Sequence, residues 1–139
     1  MSDEKPTYWN PMVPELTVTD FAASLRFYVD ILGFELMNQR NDPHFAYLSF
    51  GDAQLMIEQY HAEGWKPAAL ERPFGRGVNF QIEVADMKPI LSRLKLNGIP
   101  LFRSLQDNHY AIGQTTICQR EFLVQDPDGY LLRLSQYIE

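Results

Sequence analysis

Apolar and polar positions alternate over Met12–Val18, as in a half-buried strand. The period then lengthens. Thr19 or Asp20 offers a side-chain oxygen to cap a helix, and Phe21, Leu25, Tyr28 and Leu32 follow at helical spacing. Gly33 is placed to take the left-handed conformation that ends it. Phe34–Gln39, Phe45–Phe50 and Ala53–Tyr60 then read as strands, with Gly51-Asp52 as a tight turn between the last two. His61–Gly75 holds Gly64, Pro67, Pro73 and Gly75 and suits a connector better than an element. Beyond it Val78–Val84 predicts a strand and Asp86 another cap. Met87, Ile90, Leu91 and Leu94 predict a helix face that Gly98 closes. Ile99–Arg103 reads as a strand and Ser104–Gly113 as irregular. Thr115–Gln125 and Tyr130–Tyr137 read as strands around the turn Asp126-Pro127-Asp128-Gly129.

The pattern repeats. Val18 and Val84, Asp20 and Asp86, and Leu25 and Leu91 are each separated by 66 residues, and the helix-ending glycines Gly33 and Gly98 by 65. Each half reads strand, helix, three strands, and is too small to bury both faces of its own sheet. The expected fold is therefore α+β: two tandem βαβββ modules, roughly 10–60 and 76–139 with connector 61–75, forming a curved sheet around a cleft within a single domain over 1–139.

Composition narrows the function classes. A chain of 139 residues, 45% hydrophobic and 22% charged, suits one compact soluble domain. Its 12 basic against 18 acidic side chains give a formal charge of −6, opposite to what nucleic acid or an anionic membrane attracts. An acidic surface favours a cationic ligand. The lone Cys118 forms no intrachain disulfide. The opening MSDEKPTYWNP lacks the charge and apolar run of a signal peptide, and no stretch approaches the ~20 apolar residues of a membrane span, so the expected location is the cytoplasm.

Two strings, VTDFAASLRFYVDILGF at residues 18–34 and REFLVQDPDGYLLRL at 120–134, resemble the vicinal oxygen chelate superfamily, which includes glyoxalase I, extradiol dioxygenases, fosfomycin-resistance enzymes and bleomycin-resistance proteins. FAYLSF, AQLMIEQ and REF look most like the bleomycin-resistance proteins. In the catalytic members, the resemblance implies a divalent metal held by four strand residues, which fall here on Val13, Glu58, Asn79 and Arg133. Val13 and Asn79 are again 66 apart. Valine has no donor atom, asparagine is a weak neutral ligand and arginine is a permanent cation, so no metal and no other cofactor is expected. Arg133 is expected to pair with Glu58 and replace the metal's charge.

Alternation sets Val13, Glu15 and Thr17 on one face, as it does Asn79, Gln81 and Glu83, and Met56 with Glu58. These polar side chains favour a ligand cavity over a plain core. Phe45 begins the strand on which bleomycin-resistance proteins stack an aromatic against the drug, and the opposing aromatic position falls on Cys118. Trp65, in the connector, is expected to touch a ligand or a partner subunit unless it packs locally. His44, His61 and His109 lack ligand spacing and read as surface residues. Ser24 and Ser92 have no nearby histidine to make them nucleophiles.

The expected function is non-catalytic binding of a small molecule, cationic and partly planar, as in sequestration of a bleomycin-type antibiotic. Its ligand-binding residues are Phe45, Glu58, Trp65, Asn79, Gln81, Cys118 and Arg133, with no catalytic residue. The alternative is a metal-dependent lyase or dioxygenase of the same superfamily with a nonstandard ligand set that includes Glu58. The resemblance also implies a homodimer, with the segment before Met12 as an exchanged arm; no nucleic acid or membrane partner is expected.

Overall fold

The computed structural model describes residues 9–139, and the chain divides into two compact units between Ala69 and Leu70. Most of the segment expected to form an arm, residues 1–8, lies outside the described residues. The first unit holds β1 (Glu15–Val18), a helix α1 (Phe21–Arg26) that widens into a π-helical turn (Phe27–Leu32), β2 (Glu35–Arg40), β3 (Phe45–Phe50) and β4 (Ala53–Gln59). The second holds β5 (Asn79–Glu83), α2 (Lys88–Leu96), β6 (Arg103–Ile112), β7 (Thr115–Gln125) and β8 (Leu131–Ile138). The sheet orders are β1-β4-β3-β2 and β5-β8-β7-β6, and in each only the first pair is parallel. The matching orders make the chain α+β with two tandem βαβββ modules.

Within the first unit the sequence periodicity selects which sheet face is buried. Leu16, Val18, Leu48 and Ile57 are almost fully buried on the side that carries the helical residues Phe21, Tyr28 and Leu32. Each such side chain contributes about 1.5–3 kcal/mol by leaving water. Asp20 caps the helix by accepting from the Ala23 amide at 3.2 Å. The chain then turns at Gly33 (φ 101°), whose amide donates to the Tyr28 carbonyl at 3.1 Å. No side chain with a Cβ adopts that backbone without strain.

The second unit repeats the plan. Asp86 accepts from the Lys88 amide at 3.0 Å, and Met87, Ile90 and Leu94 are buried, as are Ile82, Phe122, Val124, Leu132 and Leu134. The turn after β7 is fixed by Asp126, whose Oδ1 accepts from the amides of Asp128 and Tyr130, each at 2.9 Å. Arg72, from the connector, donates to the Pro127 carbonyl at 2.7 Å and pairs with buried Asp128 at 2.9 Å. The second half of the connector is thereby stitched to the turn.

Two expectations are corrected. Ile99–Phe102 is not a strand, because the Ile99 amide donates back to the Leu94 carbonyl at 3.0 Å and closes the helix. Ser104–Gly113 is not irregular, because Arg103–Ile112 forms β6, the longest strand after β7. Every residue of β6 except the half-buried Asn108 is exposed, so the strand shows no apolar alternation. It is held by its pairing with β7 and by polar cross-strand contacts, including Arg120 to Asp107 at 2.9 and 3.3 Å. β1 also starts later than expected, at Glu15, after Pro11 and Pro14. Among the described residues, no helix is long and apolar enough to cross a membrane.

Candidate functional site: an acidic aromatic pocket on the first unit

On the face of the first sheet away from Leu16 and Val18, pairing sets Glu15 beside Met56, Thr17 beside Glu58, Glu58 beside Phe45, and Phe45 beside Arg40. A pocket of about 410 Å³ opens there, lined by Trp9, Glu15, Arg40, Pro43, Phe45, Met56, Glu58, His61, Glu63, Gly64 and Trp65. That volume is within the roughly 300–1,000 Å³ of small-molecule sites.

Each wall has a local cause. Asn10 ties the entering chain to the β3–β4 hairpin: its amide donates to Gln54 at 2.8 Å and its side chain to the Asp52 carbonyl at 2.7 Å. This holds the Trp9 ring against Tyr47, centroids 4.7 Å apart, while 59% of Trp9 stays exposed. The connector leaves β4 and brings His61 back onto Glu58 at 2.9 Å, with Trp65 beyond it, 93% exposed. Phe45 is only 2% exposed, because the Arg40 guanidinium covers its ring at 4.1 Å.

Three carboxylates, Glu15, Glu58 and Glu63, face one guanidinium and one imidazole. Burial pushes the Glu15 carboxyl above its ordinary value of 4.5 and the Glu58 carboxylate pushes it further, while Arg40 draws it back. A group held in this way gains from an arriving cation.

Of the expected site residues, Phe45, Glu58 and Trp65 line this pocket. Asn79, Gln81 and Arg133 lie together on the second sheet, where Arg133 donates to Gln81 at 2.9 Å. Beneath Arg133 is Glu121, 2% exposed, which accepts from Asn108 at 2.8 Å, from Ser135 at 2.7 Å and from the Tyr110 hydroxyl, with Arg133 itself at 3.7 Å. Burial raises the Glu121 pKa, but those three hydrogen bonds and the Arg133 charge outweigh it and hold the carboxyl below its ordinary value. Glu58 and Arg133, expected as a pair, each have a partner within their own unit, His61 for the one and Gln81 and Glu121 for the other.

Cys118 stands on the other face of β7. The unbroken β7–β8 register, Cys118 with Ile138 through Gln125 with Leu131, puts it an odd number of steps from Glu121 and hence on the face of Phe122 and Val124, away from Arg133. Sequence reasoning also missed Trp9, Arg40 and Glu63, and took His61 for a plain surface residue. Only His61 carried a local signal, standing three residues from Glu58.

The metal positions implied by the superfamily do not fit a divalent cation. Val13 offers no donor, Asn79 is neutral and exposed, and Arg133 brings a guanidinium already engaged with Gln81. Among the described residues no three His, Cys, Asp or Glu side chains form a metal-binding group.

The fold and the sequence together define the class: the profile of the Glyoxalase/Bleomycin resistance protein/Dioxygenase superfamily matches residues 11–134, and the chain belongs to that superfamily. It is similar to the bleomycin resistance protein of Geobacillus stearothermophilus, 28% identical over 91% of this chain and 96% of that one. It is also similar to virulence protein STM3117 of Salmonella typhimurium, 26% identical over 88% of this chain and 81% of the relative. The crystal structure of TioX from Micromonospora sp. ML1 shares the fold with a TM-score of 0.69 at 21% identity, covering 94% of this chain and all of that one.

Proposed function

We propose that this chain binds a small organic cation with a planar part and does not transform it. A bleomycin-type antibiotic is the first compound to try, because relatives sharing 28% identity are bleomycin resistance proteins. The observation that carries the reading is the first-unit pocket, where Trp9 and Trp65 stand exposed beside Glu15, Glu58 and Glu63. Carboxylates attract the positive charge, indole faces bind cations and flat rings, and no residue in the pocket is arranged as a nucleophile with its base. Sequestration by a cytoplasmic homodimer with one site per protomer is the form this function takes.

The test is a calorimetric titration of chelator-treated protein with bleomycin. Saturable binding at one site per protomer, weakened by Trp65→Ala and by Glu58→Gln, supports the reading. Absence of any heat would reject bleomycin, and wild-type affinity in both variants would reject the pocket.

A further inference from the structure

Each sheet has strand edges, and three of the four are short or broken. β1 has four residues, β5 has five, and β2 is interrupted by a register shift between Leu36 and Asn38. β6 is different. Its irregularity is confined to the start, and Gln106–Ile112 pair with β7 without a break. Among the described residues no strand pairs with its other side. Of the devices that blunt exposed edges, this run has no proline, no lysine and no bulge, and its one charged side chain, Asp107, is paired with Arg120. Leu105 and Ile112 are exposed, Ile112 at 60%.

A two-fold axis perpendicular to a sheet keeps each face with itself, so an antiparallel strand paired with its own copy can match only residues an even number apart. Centring β6 on Asp107 would set two aspartates against each other, and centring it on His109 would set two histidines together. Centring on Asn108 sets Asp107 of each copy opposite His109 of the other, twice over, with Gln106 opposite Tyr110 and Leu105 opposite Ala111. Arg120 already holds Asp107 on this strand with two hydrogen bonds, so the acceptor is in place to meet an imidazole. We propose that β6 is a self-recognition edge, through which two copies of this chain join their second-unit sheets in antiparallel register centred on Asn108. The pairing is independent of the ligand reading and of any arm exchanged before Met12.

Two single-cysteine proteins test it, Asp107→Cys and His109→Cys, each also carrying Cys118→Ser. Under mild oxidation, a disulfide-linked dimer is expected when the two are mixed and in neither alone, because only residues 107 and 109 of different copies stand opposite. Unmodified full-length protein supplies the second readout: the β6 amides should lose hydrogen-exchange protection on dilution. No linked dimer in the mixture, or equal linking in each variant alone, would overturn the register. Exchange at β6 that does not depend on concentration would overturn the edge pairing itself. Sedimentation showing a dimer without the mixed disulfide would leave a homodimer standing and this surface refuted.

Discussion

Glu121→Gln isolates the charge of the buried carboxylate with little change of shape. Three donors, Asn108, Tyr110 and Ser135, end on Glu121. A hydrogen bond to a charged acceptor contributes about 1.5–3 kcal/mol net and a neutral one about 0.5–1.5. Neutralising the acceptor therefore costs roughly 1 kcal/mol per bond, about 3 in all, and relief of the carboxylate's desolvation returns about 1. The expected loss is about 2 kcal/mol at neutral pH, and with a urea m-value of about 2 kcal/mol/M the midpoint falls by about 1 M. Far-UV circular dichroism should read it, since both tryptophans, Trp9 and Trp65, lie in the other unit. The pH dependence has a definite sign. Because the folded pKa of Glu121 lies below 4.5, the unfolded chain binds more protons in the interval between the two values. Its contribution is thus present above the ordinary value and lost as pH falls toward the folded one, and Glu121→Gln should flatten that part of the acid limb. An unchanged midpoint at pH 7, or identical acid limbs for the variant and wild type, would refute the account of Glu121 as an ionised hub.

Trp65→Ala should leave stability within about 0.5 kcal/mol, as the side chain is 93% exposed. The same change should weaken bleomycin about tenfold by calorimetry, the equivalent of one indole contact of roughly 1.4 kcal/mol. Glu15, whose folded pKa lies above 4.5, holds more protons folded than unfolded in that window, so its contribution to stability falls as pH rises through it. Glu15→Gln should then melt higher than wild type at neutral pH while binding the cation less, and it should lessen the fall in affinity expected on acidification. Gly129→Ala should destabilise by about 2–3 kcal/mol in urea titration, since φ is 97° and an added Cβ would lie 2.6 Å from Cβ of Pro73.

Phe45–Phe50 and Thr115–Gln125 fall on strands of the same bounds in sequence and structure, because apolar β-formers there end at turn residues. β6 was illegible for the opposite reason: its stabilisation comes from Arg120 and Glu121 on the neighbouring strand, and periodicity within a segment carries no record of its partner. The pocket divides the same way. Phe45 and Glu58 are implied by the resemblance to the superfamily, and Trp65 by the composition of the connector. Arg40 reaches the site through the β2–β3 pairing, and Trp9 through Asn10 and its tie to the hairpin, neither of which a spacing rule expresses. The face that Cys118 takes follows from the β7–β8 register, since a single residue along a strand turns a side chain to the other face.

The repeat also sets two different polar arrangements on one plan. With Glu15 and Gln81 as counterparts, 66 residues apart, the strand pairings make Met56 the counterpart of Arg133, Glu58 that of Ser135, and Phe45 that of Glu121. In the first unit the carboxylate stands on β4, partly open to the pocket, with an aromatic ring beside it on β3. In the second it stands on β7, buried and saturated by its own donors. The first arrangement leaves its carboxylate within reach of a ligand, whereas Glu121 is buried beneath Arg133 with its donors around it. It follows that Glu121→Gln, which costs stability in the second unit, should leave bleomycin affinity at the wild-type value below the unfolding midpoint, whereas Glu58→Gln should lower it. Because Trp9 and Trp65 line the pocket, quenching of their fluorescence is the readout expected for binding there. Equal losses of affinity in the two variants would show that the second unit's buried charge takes part in binding, and the division between the two halves would fall.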